Sequence, residues 1–156
     1  MVPGVQYGDI FENMLFENGP VVIFLWNNDS SWSVENVTQN VANMLGYGAD
    51  ELKSGNISYI NLLHPQDMAR VQSEVSSASK SNVYTFKHEP YRVTAKNGDI
   101  KWLLDNTCIL RDANNKITHY LGYLVDITER MENEKHAESE LNSALSRFRD
   151  IFKSRR

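Results

Sequence analysis

Only one cysteine, Cys108, occurs in 156 residues, which excludes an internal disulfide framework and any zinc site built on several thiolates, and fits a reducing compartment. No stretch approaches the ~18 consecutive apolar residues of a membrane span, and the N-terminus lacks the basic region and apolar run of a secretory signal. A cytoplasmic location without membrane contact is therefore expected. A surplus of positive charge is missing too: the net charge is −4, which argues against a nucleic-acid partner, since such partners are met by a basic face. Also absent are a glycine-rich phosphate loop, a nucleophile elbow, a His-Glu-x-x-His cluster and a carboxylate pair in a catalytic setting, so neither catalysis nor a metal site is expected.

What is present is an ordinary globular composition, 41% hydrophobic and 23% charged, in a chain long enough for one domain of about 100–150 residues plus an appendage. Residues 9–18 place Ile10, Phe11, Met14, Leu15 and Phe16 at helical spacing before Gly19-Pro20, predicting a short amphipathic helix. Residues 21–26 form an apolar run rich in β-branched and aromatic side chains, and residues 32–37 alternate, so the two predict a hairpin across Asn27-Asn28-Asp29-Ser30. Short helices follow over residues 40–47, 49–53 and 57–63, and a longer one opens at Pro65, with Met68, Val71 and Val75 facing inward. Residues 84–95, 100–111 and 117–127 then read as a three-stranded meander. Asn97-Gly98 suits a type I′ turn, and Pro90 inside the first of these strands marks an edge or a bulge.

The chain is organised around Asp126-Ile127-Thr128-Glu129-Arg130. Alternation ends there and a run without Pro or Gly begins, with Asp126 and Glu129 spaced as a capping box. A strand that passes directly into a helix couples the two mechanically, so these five residues are the expected signal relay. Beyond them Leu141, Leu145, Phe148 and Phe152 recur at alternating spacings of four and three, the seam of a coiled coil and of a homodimer. The fold class is thus α+β: a five-stranded antiparallel sheet with short helices on one face, an N-terminal helix within residues 1–19, a domain over residues 20–128 and a C-terminal helix over residues 129–156.

Several words in this chain resemble those of a PAS domain with its PAC-type C-terminal motif. They are Asn43-Met44-Leu45-Gly46-Tyr47 with Glu51-Leu52, His64-Pro65-Gln66-Asp67, Tyr91-Arg92-Val93 with Lys96-Asn97-Gly98, Trp102, and Gly122 with Asp126-Ile127-Thr128-Glu129-Arg130. The fuller similarity, which includes Trp32-Ser33-Val34-Glu35, is to sensory modules of bacterial and archaeal histidine kinases and diguanylate cyclases. The resemblance implies a pocket between the sheet and the short helices, a sensing role within a larger protein, and a C-terminal helix that carries the signal out. A sensor histidine kinase ranks first, with a haem- or flavin-binding sensor, a diguanylate cyclase module and a ligand-free interaction domain as alternatives. Residues 147–154 also resemble the start of another PAS domain, so adjacent PAS and output domains are expected partners. One departure from the family is Glu89-Pro90-Tyr91-Arg92, where Glu-Tyr-Arg usually runs directly, and a bulge there would re-aim neighbouring side chains.

A pocket, if open, would be lined by Phe24, Trp26, Val41, Met44, Leu45, Ile60, Leu63, Val71, Arg92, Val93 and Trp102, although a filled core asks for the same residue types. The sequence requires no cofactor. Cys108 lies mid-strand, outside the helical Asn-Cys-Arg word of flavin-reactive relatives, and reads as a packed thiol. His64, His88 and His119 are the candidate haem ligands, each with a structural reading beside it, and His136 sits on a solvated helix face with no ATP-binding region after it. Arg92 with His88 would suit a small carboxylate ligand, against the plainer expectation that Arg92 pairs with a sheet carboxylate such as Asp105.

Overall fold

The protein is seen in a computed structural model that describes residues 17–153, the side chain of Phe152 excepted. Nearly all of the helix expected over residues 9–18 lies outside the described residues. The chain divides into two compact units between Asp126 and Ile127.

The first unit is an antiparallel sheet of six segments, β1 Val21–Asn27, β2 Val34–Val37, β3 Thr85–Lys87, β4 Tyr91–Thr94, β5 Ile100–Arg111 and β6 Ile117–Asp126. The order across it is β2-β1-β6-β5-β3, with β4 on the same edge of β5 as β3. Helices α1 Val41–Leu45, α2 Ala49–Lys53, α3 Tyr59–Leu62 and α4 Pro65–Lys80 lie in the chain between β2 and β3. Alternation decides which side chains go inward: Val22, Phe24 and Trp26 from β1, Leu103 and Ile109 from β5, and Tyr120 and Leu124 from β6 are buried in one cluster with Val41, Leu45, Leu52 and Val71 from the helices.

Three local expectations change. The strand expected over residues 84–95 is two segments, so the sheet has six segments where five were predicted. His88 N–H donates to the Asp105 carbonyl at 3.0 Å and Tyr91 pairs with Leu103, so Glu89 and Pro90 together oppose Leu104 alone. That is a one-residue bulge, at the position where Pro90 has no N–H to give a ladder. The Asn97-Gly98 turn is not type I′, which needs positive φ at both central residues. Among the described residues only Trp32 and Asn115 join the glycines at positive φ, so Asn97 does not qualify. Instead Gly98 N–H donates to Ala95 O at 2.9 Å and Gly98 itself takes φ 90°. The strand expected from Trp32 starts at Val34, because Trp32 sits in the left-handed region at φ 49°.

The second unit is α5, Thr128–Lys153, whose first intrahelical bond runs from Met131 N–H to Ile127 O at 2.9 Å. Leu141, Leu145, Phe148 and Ile151 are exposed on it. Among the described residues no helix is long and apolar enough to cross a membrane.

Candidate functional site

The polar residues that the core-facing phase of the sheet carries inward converge on one place. Asp105 and Thr107 follow Leu103 and precede Ile109 in the inward phase of β5, so a carboxylate and a hydroxyl are buried where aliphatic side chains would be routine. Asp105 accepts from Tyr91 Oη at 2.6 Å on Oδ2 and from Thr107 Oγ1 at 2.7 Å on Oδ1. Tyr91 Oη lies 2.7 Å from Tyr59 Oη of α3. His88, 3% exposed, has Nε2 3.9 Å from Asp105 Oδ2 and Nδ1 2.9 Å from Glu74 Oε1 of α4. Arg70, one helical turn before Glu74, bonds both of its carboxylate oxygens at 3.1 and 3.2 Å and also the bulge carbonyls of Glu89 and Pro90 at 3.2 and 2.8 Å. A continuous polar path therefore runs from the α4 surface to the middle of the core.

Burial dominates the electrostatics. It pushes the Asp105 carboxyl up, against the opposing pull of the His88 charge and the hydrogen bonds from Tyr91 and Thr107. Tyr59 and Tyr91 are pushed well above the usual phenol range, first by burial and then by the neighbouring Asp105 charge, so both carry their protons.

Beside this cluster is a cavity lined by Trp26, Trp32, Tyr59, Val71, Val75, His88, Tyr91, Asp105, Thr107 and Tyr120. The centre of a water-sized sphere can move through about 20 Å³ of it, enough for about one water. Trp26 stacks on Phe24 at 5.1 Å and 10° and tilts against Tyr59 at 4.9 Å. Its Nε1 is the one buried side-chain polar atom among the described residues without a hydrogen-bond partner. Trp32 is held in its strained conformation by Asp29, whose carboxylate accepts from Ser31 N–H at 3.2 Å, from Ser33 N–H at 2.9 Å and from both serine hydroxyls. Burial raises the Asp29 carboxyl, but these hydrogen bonds outweigh it and hold the group below its usual range. A bulky residue at positive φ is uncommon away from functional sites.

Of the residues expected to line a pocket, Trp26 and Val71 do so. Phe24, Val41, Met44, Leu45, Leu63 and Val93 are buried in the packed core, and Ile60 is packed against it. Arg92 points elsewhere: its Nε and Nη2 donate to Asp67 Oδ2 and Oδ1 at 2.9 and 2.8 Å, and its guanidinium lies 5.0 Å over the Trp102 ring. The expected sheet partner Asp105 is thus replaced by a helix carboxylate, and Arg92 is not paired with His88 for a carboxylate ligand. The Arg92 hydrogen bonds hold Asp67 below the ordinary carboxyl range in spite of its burial.

Among the other histidines, His64 Nδ1 accepts from Gln66 N–H at 3.1 Å as the cap of α4, His119 pairs with Glu35 at 2.9 Å and His136 with Glu140 at 3.1 Å. Cys108 is a half-buried free thiol on β5. No group of metal-ligating side chains occurs among the described residues. Haem and flavin do not fit the cavity, since sites for molecules of drug size need about 300–1,000 Å³ and this space admits a water.

The family model described as PAS fold matches residues 34–124. The chain belongs to the PAS family. It is 37% identical over 121 residues to the methyl sulfide methyltransferase-associated sensor of Methanosarcina acetivorans, an alignment that covers 78% of this chain and 12% of that protein. A sensory box histidine kinase/response regulator from Burkholderia thailandensis shares the fold at 20% identity and TM-score 0.68, over 86% of this chain and 98% of that one. The N-terminal domain of a diguanylate cyclase with PAS/PAC sensor from Marinobacter aquaeolei does so at 20% identity and TM-score 0.58, over 71% and 98%. A PAS core with a buried Tyr-Tyr-Asp-His cluster is accordingly the sensory part of this chain, and the cluster is its candidate site.

Proposed function

We propose that this chain is a regulatory, non-catalytic sensory and dimerisation module of a larger cytoplasmic signalling protein of the sensor histidine kinase type. One observation carries the reading. Asp105, at the centre of the cluster, lies directly opposite Leu124 on β6, and β6 ends at Asp126, with Ile127 alone between it and the first residue of α5. Lys101 of β5 reaches the same strand end, its Nζ 3.8 Å from Asp126. A change in the charge or hydrogen bonding of Asp105 shifts β5 against β6, and Asp126-Ile127-Thr128-Glu129-Arg130 is the covalent route by which that shift reaches α5. The kinase assignment takes support from the histidine kinase among the fold neighbours and from a relative that is itself named a sensor. Because the chain spans 12% of that relative's length, output and further sensory domains belong to the proposal.

Hydrogen exchange tests the relay. Asp105→Asn, with folding checked by far-UV circular dichroism, is expected to alter amide exchange in residues 120–131 as well as around the cluster. Changes confined to residues 84–109 would remove the relay.

A further inference from the structure

We infer that the aromatic cavity beside Asp105 is a binding site for a small ammonium cation, of the size of ammonium or methylammonium. This rests on the sensory reading and names the class of ligand that it leaves open.

The order of protons along the cluster fixes the polarity of the wall. Burial opposes ionisation of Asp105 and a bound cation favours it; in the ionised form Asp105 accepts on both oxygens, so Tyr91 spends its only proton on Oδ2 and Thr107 spends its own on Oδ1. With its proton committed, Tyr91 Oη must act as acceptor toward Tyr59, 2.7 Å away, and so Tyr59 spends its proton too. What these groups have left to offer a guest is lone pairs. Trp26, Trp32, Tyr59, Tyr91 and Tyr120 also line the cavity, an aromatic wall of the kind that receives ammonium cations. One donor, Trp26 Nε1, is unsatisfied, and a single N–H does not reverse that balance.

Charge points the same way. On the outer side Arg70 neutralises Glu74 through two hydrogen bonds. His88 Nε2, 3.9 Å from Asp105, is within ion-pair range but beyond hydrogen-bonding distance, so among the described residues no cationic side chain donates a hydrogen bond to the buried carboxylate. An anion would meet a carboxylate and aromatic rings, and among the described residues no arginine lines the cavity: Arg92 is tied to Asp67 and Arg70 to Glu74. A donor-rich cation would meet a carboxylate, spare lone pairs and aromatic rings. Size completes the assignment: the cavity has room for about one water-sized guest, which suits ammonium as the wall stands and methylammonium with a small shift of Val75 or Trp32, and excludes a quaternary ammonium.

Isothermal titration calorimetry and tryptophan fluorescence on the whole chain decide it, with methylammonium chloride as the probe at constant ionic strength. Ammonium and methylammonium should bind saturably, whereas sodium acetate, ethanol and tetramethylammonium should not. Asp105→Asn should weaken methylammonium by about tenfold or more, and Tyr59→Phe, which keeps the ring and removes the lone pairs, should weaken it by a smaller factor while the fold is retained. No saturable response to either small cation overturns the inference, as does equal binding by acetate, ethanol or tetramethylammonium, or unchanged affinity in both variants. Absent cation binding together with the exchange response of residues 120–131 to Asp105→Asn would defeat this inference and leave the relay standing.

Discussion

Gly122→Ala adds a methyl group where none fits. A Cβ built on Gly122 would lie 2.5 Å from Trp26 Cζ3, 2.7 Å from Cη2 and 3.3 Å from Asp105 Oδ1, against a comfortable carbon–carbon separation of about 3.5–4.0 Å. The indole cannot tilt away freely, because it stacks on Phe24 at 5.1 Å and leans on Tyr59 at 4.9 Å. Overpacking of this kind costs about 1–3 kcal/mol. Against it stands about 0.4–1 kcal/mol gained by restricting the unfolded chain. Trp26→Phe removes the outer ring that carries the clash while retaining an aromatic group. In that background the clash with the indole disappears while the 3.3 Å contact with Asp105 Oδ1 and the unfolded-state gain are common to both, so the difference between the two backgrounds isolates an interaction of about 1–3 kcal/mol. Urea unfolding followed by far-UV circular dichroism measures all four corners of the cycle without relying on the indole. If Gly122→Ala costs the same in both backgrounds to within about 0.5 kcal/mol, the close approach of Trp26 to β6 is not what requires glycine there.

The apolar residues Leu141, Leu145 and Phe148 are exposed on α5, and burying each is worth about 1.5–3 kcal/mol against an association cost of about 4–15 kcal/mol. Sedimentation should therefore show a concentration-dependent dimer that Leu141→Asp with Leu145→Asp abolishes, and a strict monomer at high micromolar concentration would refute the seam. Burial raises the folded Asp105 carboxyl above its ordinary 3.8, with His88, Tyr91, Tyr59 and Glu74 facing it. In that window the folded chain holds a proton that the unfolded chain has lost, so this group's stabilisation is full below 3.8 and is lost as pH rises through the folded value. Urea midpoints against pH should show that fall in the native chain and a flatter profile in Asp105→Asn, and parallel profiles would contradict it.

The frame of the fold is legible because its signals are periodic. The apolar run over residues 21–26 reads as a strand from composition, and in the structure, where the strand extends to Asn27, Val22, Phe24 and Trp26 alternate inward as a period of two requires. Asp105 enters the sequence reading only as an expected partner of Arg92, although it shares the phase of Leu103 and Ile109, and a carboxylate in the buried phase of a strand is a signal that marks it as a site residue. His88 carries no such signal. Counting twos back from Val93 and Tyr91 through a continuous strand puts His88 on the outer face. The bulge at Glu89-Pro90 adds a residue and returns it to the inside. Tyr59, Glu74 and Arg70 lie on helices, and their meeting with β4 and β5 depends on how α3 and α4 pack, which no local pattern encodes. Trp32 reads as strand because residues 32–37 alternate, and the Asp29 clamp that turns it is a side-chain network spread over five residues.

The bulge explains why the surface and the core act as one device. An inserted residue leaves carbonyls out of the ladder that must find donors, and Arg70 supplies them by bonding Glu89 O and Pro90 O. That fixes Arg70 within reach of Glu74 one turn on, and Glu74 in turn takes His88 Nδ1 on one oxygen and Glu89 N–H on the other. The groups that repair the irregular strand are therefore the groups that orient the imidazole toward Asp105. On the proposed reading, a guest that offsets the charge of Asp105 would act on His88, through it on Glu74 and Arg70, and so on the attachment of α4 to the sheet edge. The same carboxylate faces Leu124 across the ladder to β6. One buried group thus loads both the helix that closes the cavity and the strand that leaves the domain, which is the arrangement a sensor needs if occupancy is to be felt at Asp126.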